Sequence, residues 1–328
     1  MNYRTLGKTG FKISEISLGT WQVGGKWGSG FDHKSAGDIL RKALDEGINF
    51  IDTADVYEAG ESEKAVGKIV RESSQRIYVA SKCGRQITPH INEGYTPQRL
   101  RQYVEDSLKR MGLECLDLIQ LHCPPTEVYY RPEIFAEFDK LKAEGKILHL
   151  GVSVEKVEEA LKAIEYDNVT TVQIIYNMFR QRPHDYFFER AAAKNVGIIV
   201  RVPLASGLLT GKYSPDTVFE AGDHRQGNRN GEWFDKGETF AGIPYETGLR
   251  AVKEIKALFP GEENLAPIAL KWILMHPEVS CIIPGASRAE QITSNLSALQ
   301  TANIPADKLA EIKKIYDTSI RNRVHHCW

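Results

Sequence analysis

The sequence predicts an α/β fold, a (β/α)₈ TIM barrel that occupies residues 1–328 as one domain. Eight short apolar runs alternate with amphipathic helical patterns along the 328 residues. Parallel strands that are buried on both faces have this largely apolar composition. An open doubly wound sheet is the alternative, but the glycine-rich turn of a dinucleotide-binding unit is missing after the first run. The closed barrel is therefore the favoured interpretation.

The predicted strands are short and lie between helical segments. They are Ile13–Leu18, Asn49–Asp52, Arg76–Ser81, Leu116–Leu121, Ile147–Val152, Thr171–Ile175, Gly197–Val202 and Val279–Ile283. One helix has clear boundaries, because Thr96 suits the N-cap, Pro97 suits the first helical position and Gly112 suits the end. Two further helical patterns end at Gly47 and Gly145.

Three segments lie outside the repeating units. Met1–Lys12 carries turn residues between β-prone pieces and predicts an N-terminal hairpin. Leu204–Ile243, after the seventh strand, is rich in Gly, Asp and Asn, and a loop of this length is usually functional or disordered. Pro305–Thr318 predicts an extra C-terminal helix. We expect the polar tail that follows it, Arg321–Trp328, to be mobile.

The composition limits the classes of function. Lys plus Arg (42) nearly balance Asp plus Glu (43), so the charge gives no reason to expect nucleic acid or an anionic membrane as partner. No apolar run approaches the roughly 20 residues of a membrane span, and no signal-peptide pattern opens the chain. Five cysteines without a C-x-x-C pair indicate neither a disulfide framework nor a zinc site, and the terminal His325, His326 and Cys327 fit a mobile tail better than a metal site. We expect a cytoplasmic protein that acts on a small molecule, with its oligomeric state left open.

Ionisable side chains follow three successive predicted strands. Asp52 ends the second strand, Lys82 directly follows the third, His122 directly follows the fourth, and Tyr57 lies just beyond Asp52. Catalytic groups of a (β/α)₈ barrel gather at these C-terminal strand ends. Each residue alone has a structural explanation, such as a helix cap for Asp52 or a hydrogen-bonded core position for His122. Their joint placement indicates an active site.

These four residues suit the reduction of a carbonyl group by hydride. The developing alkoxide needs a proton donor, and a tyrosine hydroxyl has a pKa of about 10. The ammonium of Lys82, held by Asp52, favours the phenolate, so we expect it to lower the pKa of Tyr57. His122 can hydrogen-bond the carbonyl oxygen. A Schiff-base aldolase that uses Lys82 is an alternative, which the adjacent carboxylate and phenol suit less.

The segment Phe50–Tyr57 (FIDTADVY), followed by Ser62–Gly67, resembles the first signature of the aldo-keto reductase family. The resemblance extends from Arg4–Gly7 to about Leu299. It implies a barrel enzyme that reduces aldehydes or ketones with NADPH. The catalytic tetrad that the resemblance implies is Asp52, Tyr57, Lys82 and His122. A cofactor-binding regulatory or redox-sensing module with little turnover is the alternative, since the β subunits of potassium channels resemble the family too.

The same resemblance implies NADPH/NADP⁺ as the cofactor and a set of residues that would hold it. By position these are Ser153, Gln173, Arg201, Pro203, Leu204, Gly207, Leu208, Thr210, Lys212, Gly285, Ser287, Arg288, Gln291 and Asn295. Ser287–Glu290 also fits an S-x-x-E capping box, which starts a helix without any ligand. A helix N-terminus beside Arg288 nevertheless suits a phosphate, which favours NADPH over NADH.

Two positions depart from the family pattern. Val154 stands where the family usually has Asn, and Arg201 stands where it often has an aromatic residue against the nicotinamide. A planar guanidinium can stack on a ring, but it also adds charge.

The rim loops also carry aromatic and cysteine residues. The aromatic residues in predicted rim loops, which suit either the wall of a substrate pocket or packing at the surface, are Trp21, Trp27, Tyr129 and Trp233. We interpret Cys83 and Cys123, each next to a tetrad residue, as packing residues rather than nucleophiles. The substrate itself is not predictable, because specificity in this fold depends on the rim loops.

Overall fold

The structure, a computed structural model, describes residues 1–25 and 30–328. Its centre is a sheet of eight parallel strands. They are β3 (Leu18–Gly19), β4 (Phe50–Asp52), β5 (Tyr78–Cys83), β6 (Leu116–His122), β7 (Ile147–Ser153), β8 (Val169–Ile175), β9 (Gly197–Arg201) and β10 (Val279–Ile282). Neighbours in the sheet are consecutive in the chain. Backbone bonds from Ser17 N to Ile282 O (2.9 Å) and from Gly19 N to Pro284 O (3.2 Å) join the first strand region to the last, so the predicted barrel is confirmed.

Helices connect successive strands of the barrel, and the last three follow β10. They are α1 (His33–Asp45), α2 (Glu61–Glu72), α3 (Pro97–Met111), α4 (Pro132–Ala143), α5 (Val157–Ala163), α6 (Arg182–Tyr186), α7 (Phe188–Ala193), α8 (His224–Gly227), α9 (Tyr245–Ala257), α10 (Ala266–Leu274), α11 (Ala289–Leu296), α12 (Ala306–Ile315) and α13 (Arg321–Val324). The predicted boundaries of α3 are confirmed. The Thr96 side chain accepts a hydrogen bond from the Arg99 backbone N–H, Pro97 opens the helix, and Gly112 ends it with a φ of 63°.

The N-terminal hairpin is confirmed and is longer than predicted. Strand β1 (Tyr3–Thr5) pairs antiparallel with β2 (Lys12–Ser14). The prediction of Ile13–Leu18 as one barrel strand was therefore wrong, because its first residues belong to β2 and only β3 joins the barrel. The apolar residues of β2 have another use, since the fully buried Ile13 packs with Leu6 against the barrel interior.

The barrel interior consists of two layers, because alternate residues of a strand face the same side. The side chains of the lower layer, which packs on the hairpin, are apolar: Phe50, Ala80, Leu118, Ile199 and Cys281. The residues two positions further along four of these strands are polar: Asp52, Lys82, Gln120 and Arg201. This alternation brings polar side chains from neighbouring strands together at the C-terminal end of the barrel.

The long segment Leu204–Ile243 folds through short helical turns. Besides α8 these are Ala205–Thr210, Lys236–Glu238 and Phe240–Gly242. In the part of the chain that the structure describes, no helix is long and apolar enough to cross a membrane.

The predicted terminal helix is present as α12, but the expectation of a mobile tail was wrong. A π-helical turn, Tyr316–Ile320, carries the chain into α13. Trp328 is only 8% exposed, because its ring packs on the guanidinium of the buried Arg180. Within residues 1–25 and 30–328, no group of three or more His, Cys, Asp or Glu side chains could hold a metal ion.

Candidate active site

Asp52, Lys82 and Tyr57 form a hydrogen-bonded chain at the C-terminal end of the barrel. The Lys82 ammonium donates to the carboxylate of Asp52, to the Thr53 carbonyl (2.9 Å) and to the Tyr57 hydroxyl (3.2 Å). Asp52 and Lys82 are both 1% exposed, whereas Tyr57 is partly exposed. The ammonium therefore has three acceptors, and only the phenol end of the chain is open to solvent.

Two amides complete the surroundings of the Asp52 carboxylate. Its second oxygen accepts from the side-chain nitrogen of Gln120 (3.0 Å) and from that of Gln173 (2.8 Å). Gln173 was predicted for the site, but Gln120 was missed. A signal for it exists in the sequence, because it lies two residues before His122 on the same strand and must face the same way.

The pKa shifts of Lys82 and Tyr57 indicate that Tyr57 keeps its proton at neutral pH. Burial acts to lower the pKa of Lys82, but Asp52 and Tyr57 outweigh it and the net shift is upward. Burial raises the pKa of Tyr57 by more than Lys82 lowers it. Lys82 acts in the predicted direction, but burial outweighs it, so the net shift of the Tyr57 pKa is upward. At neutral pH both groups carry their protons.

His122 faces the same space as Tyr57. The two rings lie 6.0 Å apart, edge to face. Burial lowers the pKa of His122 well below its usual range, and the cations Arg85 and Lys82 lower it further. The imidazole is therefore neutral. Among the described residues its buried Nδ1 atom has no hydrogen-bond partner, and an orphaned polar atom of this kind is expected where a ligand binds.

Strained backbone follows several of the predicted site residues. Glu58 (φ 46°) and Ala59 (φ 51°) come directly after Tyr57, Cys123 (φ 47°) follows His122, and Val202 (φ 51°) follows Arg201. Left-handed conformations are costly for residues other than glycine and concentrate at functional sites.

A cavity of about 380 Å³ extends from the tetrad between the long loop and the segment after β10. At one end it is lined by Asp52 and Tyr57. Eleven of the residues predicted for the cofactor line it: Gln173, Arg201, Pro203, Leu204, Gly207, Thr210, Lys212, Gly285, Ser287, Gln291 and Asn295. Volumes of roughly 300–1,000 Å³ are typical of small-molecule sites. Ammonium, amide and hydroxyl groups at the far end suit a phosphorylated ligand.

The structure places three other predicted residues outside this lining. Ser153 is buried at the end of β7 with its hydroxyl 3.5 Å from the Cys123 sulfur. Leu208 is buried in the core. Arg288 is exposed beside the cavity residue Ser287.

The predicted capping box was wrong in its details. Helix α11 begins one residue later than that motif requires, with Arg288 at the N-cap. The side-chain oxygen of Gln291, rather than Glu290, accepts hydrogen bonds from Ser287 N (2.7 Å) and Arg288 N (3.3 Å).

The two departures from the family pattern meet in the structure. The Arg201 guanidinium donates to the backbone carbonyl of Val154 (3.1 Å). It also forms ion pairs with Glu155 (2.9 Å) and Glu238 (3.0 Å), and Glu238 in turn binds Arg85 (2.8 Å). We call Arg85, Glu155, Arg201 and Glu238 the rim ion cluster. It joins three strand ends to the long loop, and sequence analysis missed three of its four members.

The two carboxyl groups of the rim ion cluster differ in acidity. Burial acts to raise the pKa of Glu238, but Arg85 and Arg201 outweigh it and lower that pKa. Burial raises the pKa of Glu155 more than Arg201 lowers it. Glu238 is therefore the more acidic carboxyl and is fully ionised between the two guanidiniums.

The aromatic predictions divide. Trp21 lines the cavity, with its ring 6.5 Å from that of Tyr57 and 4.9 Å from that of His224. Tyr129 is fully buried in the core, so it belongs neither to a pocket wall nor to the surface. Trp233 is 46% exposed, lies over Gly227 and is not among the described residues that line the cavity, which agrees with surface packing. Trp27 lies outside the described residues.

Cys83 and Cys123 are buried, as expected for packing residues. Burial raises the pKa of both thiols, so neither is a reactive thiolate at neutral pH.

Comparison with known proteins identifies the family. Residues 15–317 match the family model described as the Aldo/keto reductase family. The chain belongs to the aldo/keto reductase family. It therefore belongs with oxidoreductases that use nicotinamide cofactors, and the small-molecule cavity described above is consistent with a carbonyl substrate.

Curated relatives include enzymes with different substrates. The L-glyceraldehyde 3-phosphate reductase of Escherichia coli (strain K12) is 30% identical, covering 95% of this chain and 91% of that protein. The NADH-specific methylglyoxal reductase of the same organism is 28% identical, covering 92% and 94%. A probable voltage-gated potassium channel subunit beta of Arabidopsis thaliana is 29% identical, covering 95% and 96%.

A solved structure agrees with the fold. The glycerol dehydrogenase AKR11B4 from Gluconobacter oxydans superposes with a TM-score of 0.77 and 29% identity, covering 99% of this chain and 96% of that one.

Proposed function

We propose that the protein reduces an aldehyde or ketone to an alcohol with NADPH, and that Tyr57 supplies the proton. The observation that carries the proposal is the chain from Asp52 through Lys82 to the Tyr57 hydroxyl, which opens into the cavity lined by the predicted cofactor residues. When bound, the nicotinamide supplies the hydride that forms the new C–H bond.

The residues of this chain handle the proton. The Tyr57 hydroxyl gives its proton to the carbonyl oxygen as that oxygen becomes an alkoxide. The phenolate left behind is stabilised by the ammonium of Lys82, 3.2 Å away. The Asp52 carboxylate keeps that ammonium in place and charged, since it raises the pKa of Lys82. A neutral His122 can donate one hydrogen bond to the same oxygen and so orient the substrate.

The state of Lys82 weighs against the aldolase alternative. A Schiff-base lysine must lose its proton to attack a carbonyl group, and such lysines have a lowered pKa. Here the Lys82 pKa is raised and its three protons all have acceptors.

Positive charge supports the preference for NADPH. Lys212 and Arg225 line the cavity, and the exposed Arg288 lies at the N-terminus of α11 beside it. A 2′-phosphate gains from a guanidinium at a helix N-terminus. One relative is described as NADH-specific, so the affinities for NADPH and NADH are compared directly in the test below.

The test is calorimetric titration with NADPH and NADH, followed by turnover of a panel of small aldehydes. Wild type is compared with Tyr57→Phe, which we expect to bind cofactor normally and to lose about 10²–10⁴-fold in kcat. Tyr95→Phe is the matched control, because its buried hydroxyl bonds His90 away from the cavity. Arg288→Ala should weaken NADPH binding and leave NADH binding unchanged.

Other outcomes decide against parts of the proposal. Tight nucleotide binding without turnover of any aldehyde would favour the regulatory or redox-sensing module. Full activity in Tyr57→Phe would remove its role as proton donor. No binding of either nucleotide would exclude the reductase.

A further inference from the structure

Residues 235–242, the last part of the long loop, are held from the side opposite the cavity. We call them the anchor segment. The Arg180 guanidinium donates to two of its carbonyls, at 3.2 and 3.0 Å. The indole N–H of Trp328 donates to Asp235 Oδ1 (2.8 Å), and the same oxygen accepts from the backbone N–H of Gly237 (2.7 Å). A residue 86 positions beyond the anchor segment thus fixes its first turn.

Trp328 and Arg180 also contact each other directly. The guanidinium lies 4.1 Å from the centre of the indole ring, and both side chains are buried. Burial lowers the pKa of Arg180 to about 10, so the group remains a cation at neutral pH. Cation–π contacts are strongest with tryptophan and in desolvated surroundings.

The backbone of the anchor segment packs closely against the indole ring of Trp328. A Cβ atom on Gly237 would lie 2.8 Å from a ring atom of Trp328, and one on Gly242 would lie 2.6 Å from another. Only glycine leaves room for the ring at these two positions. The contact is therefore close along the backbone and does not depend on the side-chain bonds alone.

The opposite side of the anchor segment reaches the active site. Its Glu238 carboxylate binds Arg201 (3.0 Å) and Arg85 (2.8 Å). Glu238 and Arg201 line the cavity together with Tyr57. The position of the Arg201 guanidinium in the cavity wall is thus tied to the anchor segment through one carboxylate.

We propose that Trp328 is a positioning residue for the active site. By holding the anchor segment it fixes Glu238 and, through Glu238, the guanidinium of Arg201 in the cavity wall. This inference rests on the proposed function, because its main readout is cofactor and substrate binding. Trp328 does not line the cavity that the described residues form, so its action passes through other groups.

The experiment measures cofactor Kd by calorimetry, together with kcat and KM for an aldehyde, in Trp328→Ala and Trp328→Phe. Losing the cation–π contact and a hydrogen bond in Trp328→Ala should raise Kd and KM about tenfold, with a smaller change in kcat. Trp328→Phe keeps an aromatic ring beside Arg180 but loses the N–H together with the five-membered ring of the indole, so we expect about a threefold rise. In a Glu238→Gln background, Trp328→Ala should add little, because both changes act on one contact.

Tyr130→Ala is the matched control. Its exposed ring lies 5.0 Å from the ammonium of Lys162 in another cation–π pair, on the loop after β6, and it does not line the cavity. It should leave Kd and KM unchanged. A Trp328→Ala protein with a lower melting temperature but unchanged Kd and KM would overturn the inference, as would fully additive effects with Glu238→Gln.

Hydrogen exchange over residues 235–242 separates this inference from the proposed function. Loss of protection in Trp328→Ala supports the anchor even if no aldehyde is turned over, and retained protection overturns it. Wild type that binds neither nucleotide would overturn the proposed function by itself.

Discussion

At the lower end of the barrel the interior is filled by apolar side chains on regular strands, with the hairpin residues Leu6 and Ile13 packed beneath them. At the upper rim the same strands present Asp52 and Lys82, and the chain beyond the functional residues turns through left-handed backbone at positions such as Cys123. Only two residues along each strand separate these environments.

The difference shows that the stability of the fold and the chemistry of the site depend on different residues of the same strands. Apolar burial at the lower end stabilises the fold, at about 25 cal/mol for each Å² removed from water. Buried charges at the rim are desolvated at a cost and gain little net stability from their pairing. Stability and chemistry are thus carried by successive layers of the same strands, which substitutions in each layer can test.

Lys82→Met should have the largest effect, because it lowers both the stability of the fold and the catalytic rate. Removing one partner of a buried pair leaves Asp52 as an uncompensated carboxylate, so we expect the free energy of unfolding to fall by about 3–5 kcal/mol. We also expect kcat to fall by at least about 10²-fold. Urea denaturation and steady-state kinetics measure the two effects.

The double variant Asp52→Asn, Lys82→Met sharpens this result. Without a buried charge it should recover part of the lost stability while remaining inactive. Recovery of activity would show that the pair is not needed for proton transfer.

Leu118→Ala tests the lower layer. Leu118 is fully buried in the apolar layer, so the cavity left behind should cost about 2–5 kcal/mol. We expect kcat/KM of the folded protein to stay within about twofold of wild type, because Leu118 packs in the apolar layer and does not line the cavity. A loss of activity like that of Lys82→Met would break the division between the two layers.

His224, in the cavity wall, should make stability depend on pH. Burial lowers its pKa to about 4, against about 6.5 in an unfolded chain. Between these values the unfolded state binds more protons, so stability is complete above pH 6.5 and falls as the pH drops towards 4, by about 3 kcal/mol. His224→Gln should show a shallower decline in urea titrations from pH 7.5 to 4. An unchanged slope would contradict this assignment.

Ala59→Gly should have the smallest effect on stability, and it should raise the stability rather than lower it. The left-handed conformation of Ala59 costs roughly 1–2 kcal/mol, part of which glycine loses again to the flexibility of the unfolded chain. We expect a net gain of about 0.5–1 kcal/mol in thermal unfolding. Ala310→Gly, at an exposed interior position of helix α12, should instead lose about that amount. If Ala59→Gly and the helix control are both less stable than wild type, the backbone at Ala59 is not strained.

The proximity of Asp52, Tyr57, Lys82 and His122 could be predicted from the sequence because each lies at or near the end of a strand. Asp52 and Tyr57 lie in one short segment, and Lys82 and His122 extend apolar runs that are easily seen. Gln120 could have been predicted as well, since strand alternation gives it the orientation of His122.

The rim ion cluster could not be predicted in the same way. Glu238 lies in a segment without a periodic pattern, and it meets Arg85 across 153 residues of chain. Such a contact depends on how irregular backbone folds, which local propensity does not determine. The tail was misjudged for a similar reason. Its polar residues suggested mobility, while the one aromatic residue, Trp328, decided its position.

The contact between Arg201 and Val154 restricts how this site can change over evolution. An aromatic residue at position 201 would remove the donor to the Val154 carbonyl and leave Glu155 and Glu238 with Arg85, which lies 3.8 and 2.8 Å from them. Removing one member of a buried group of ionisable side chains is destabilising. A change at position 201 is therefore coupled to positions 155 and 238, and an aromatic residue there should be tolerated best when the two glutamates are replaced as well.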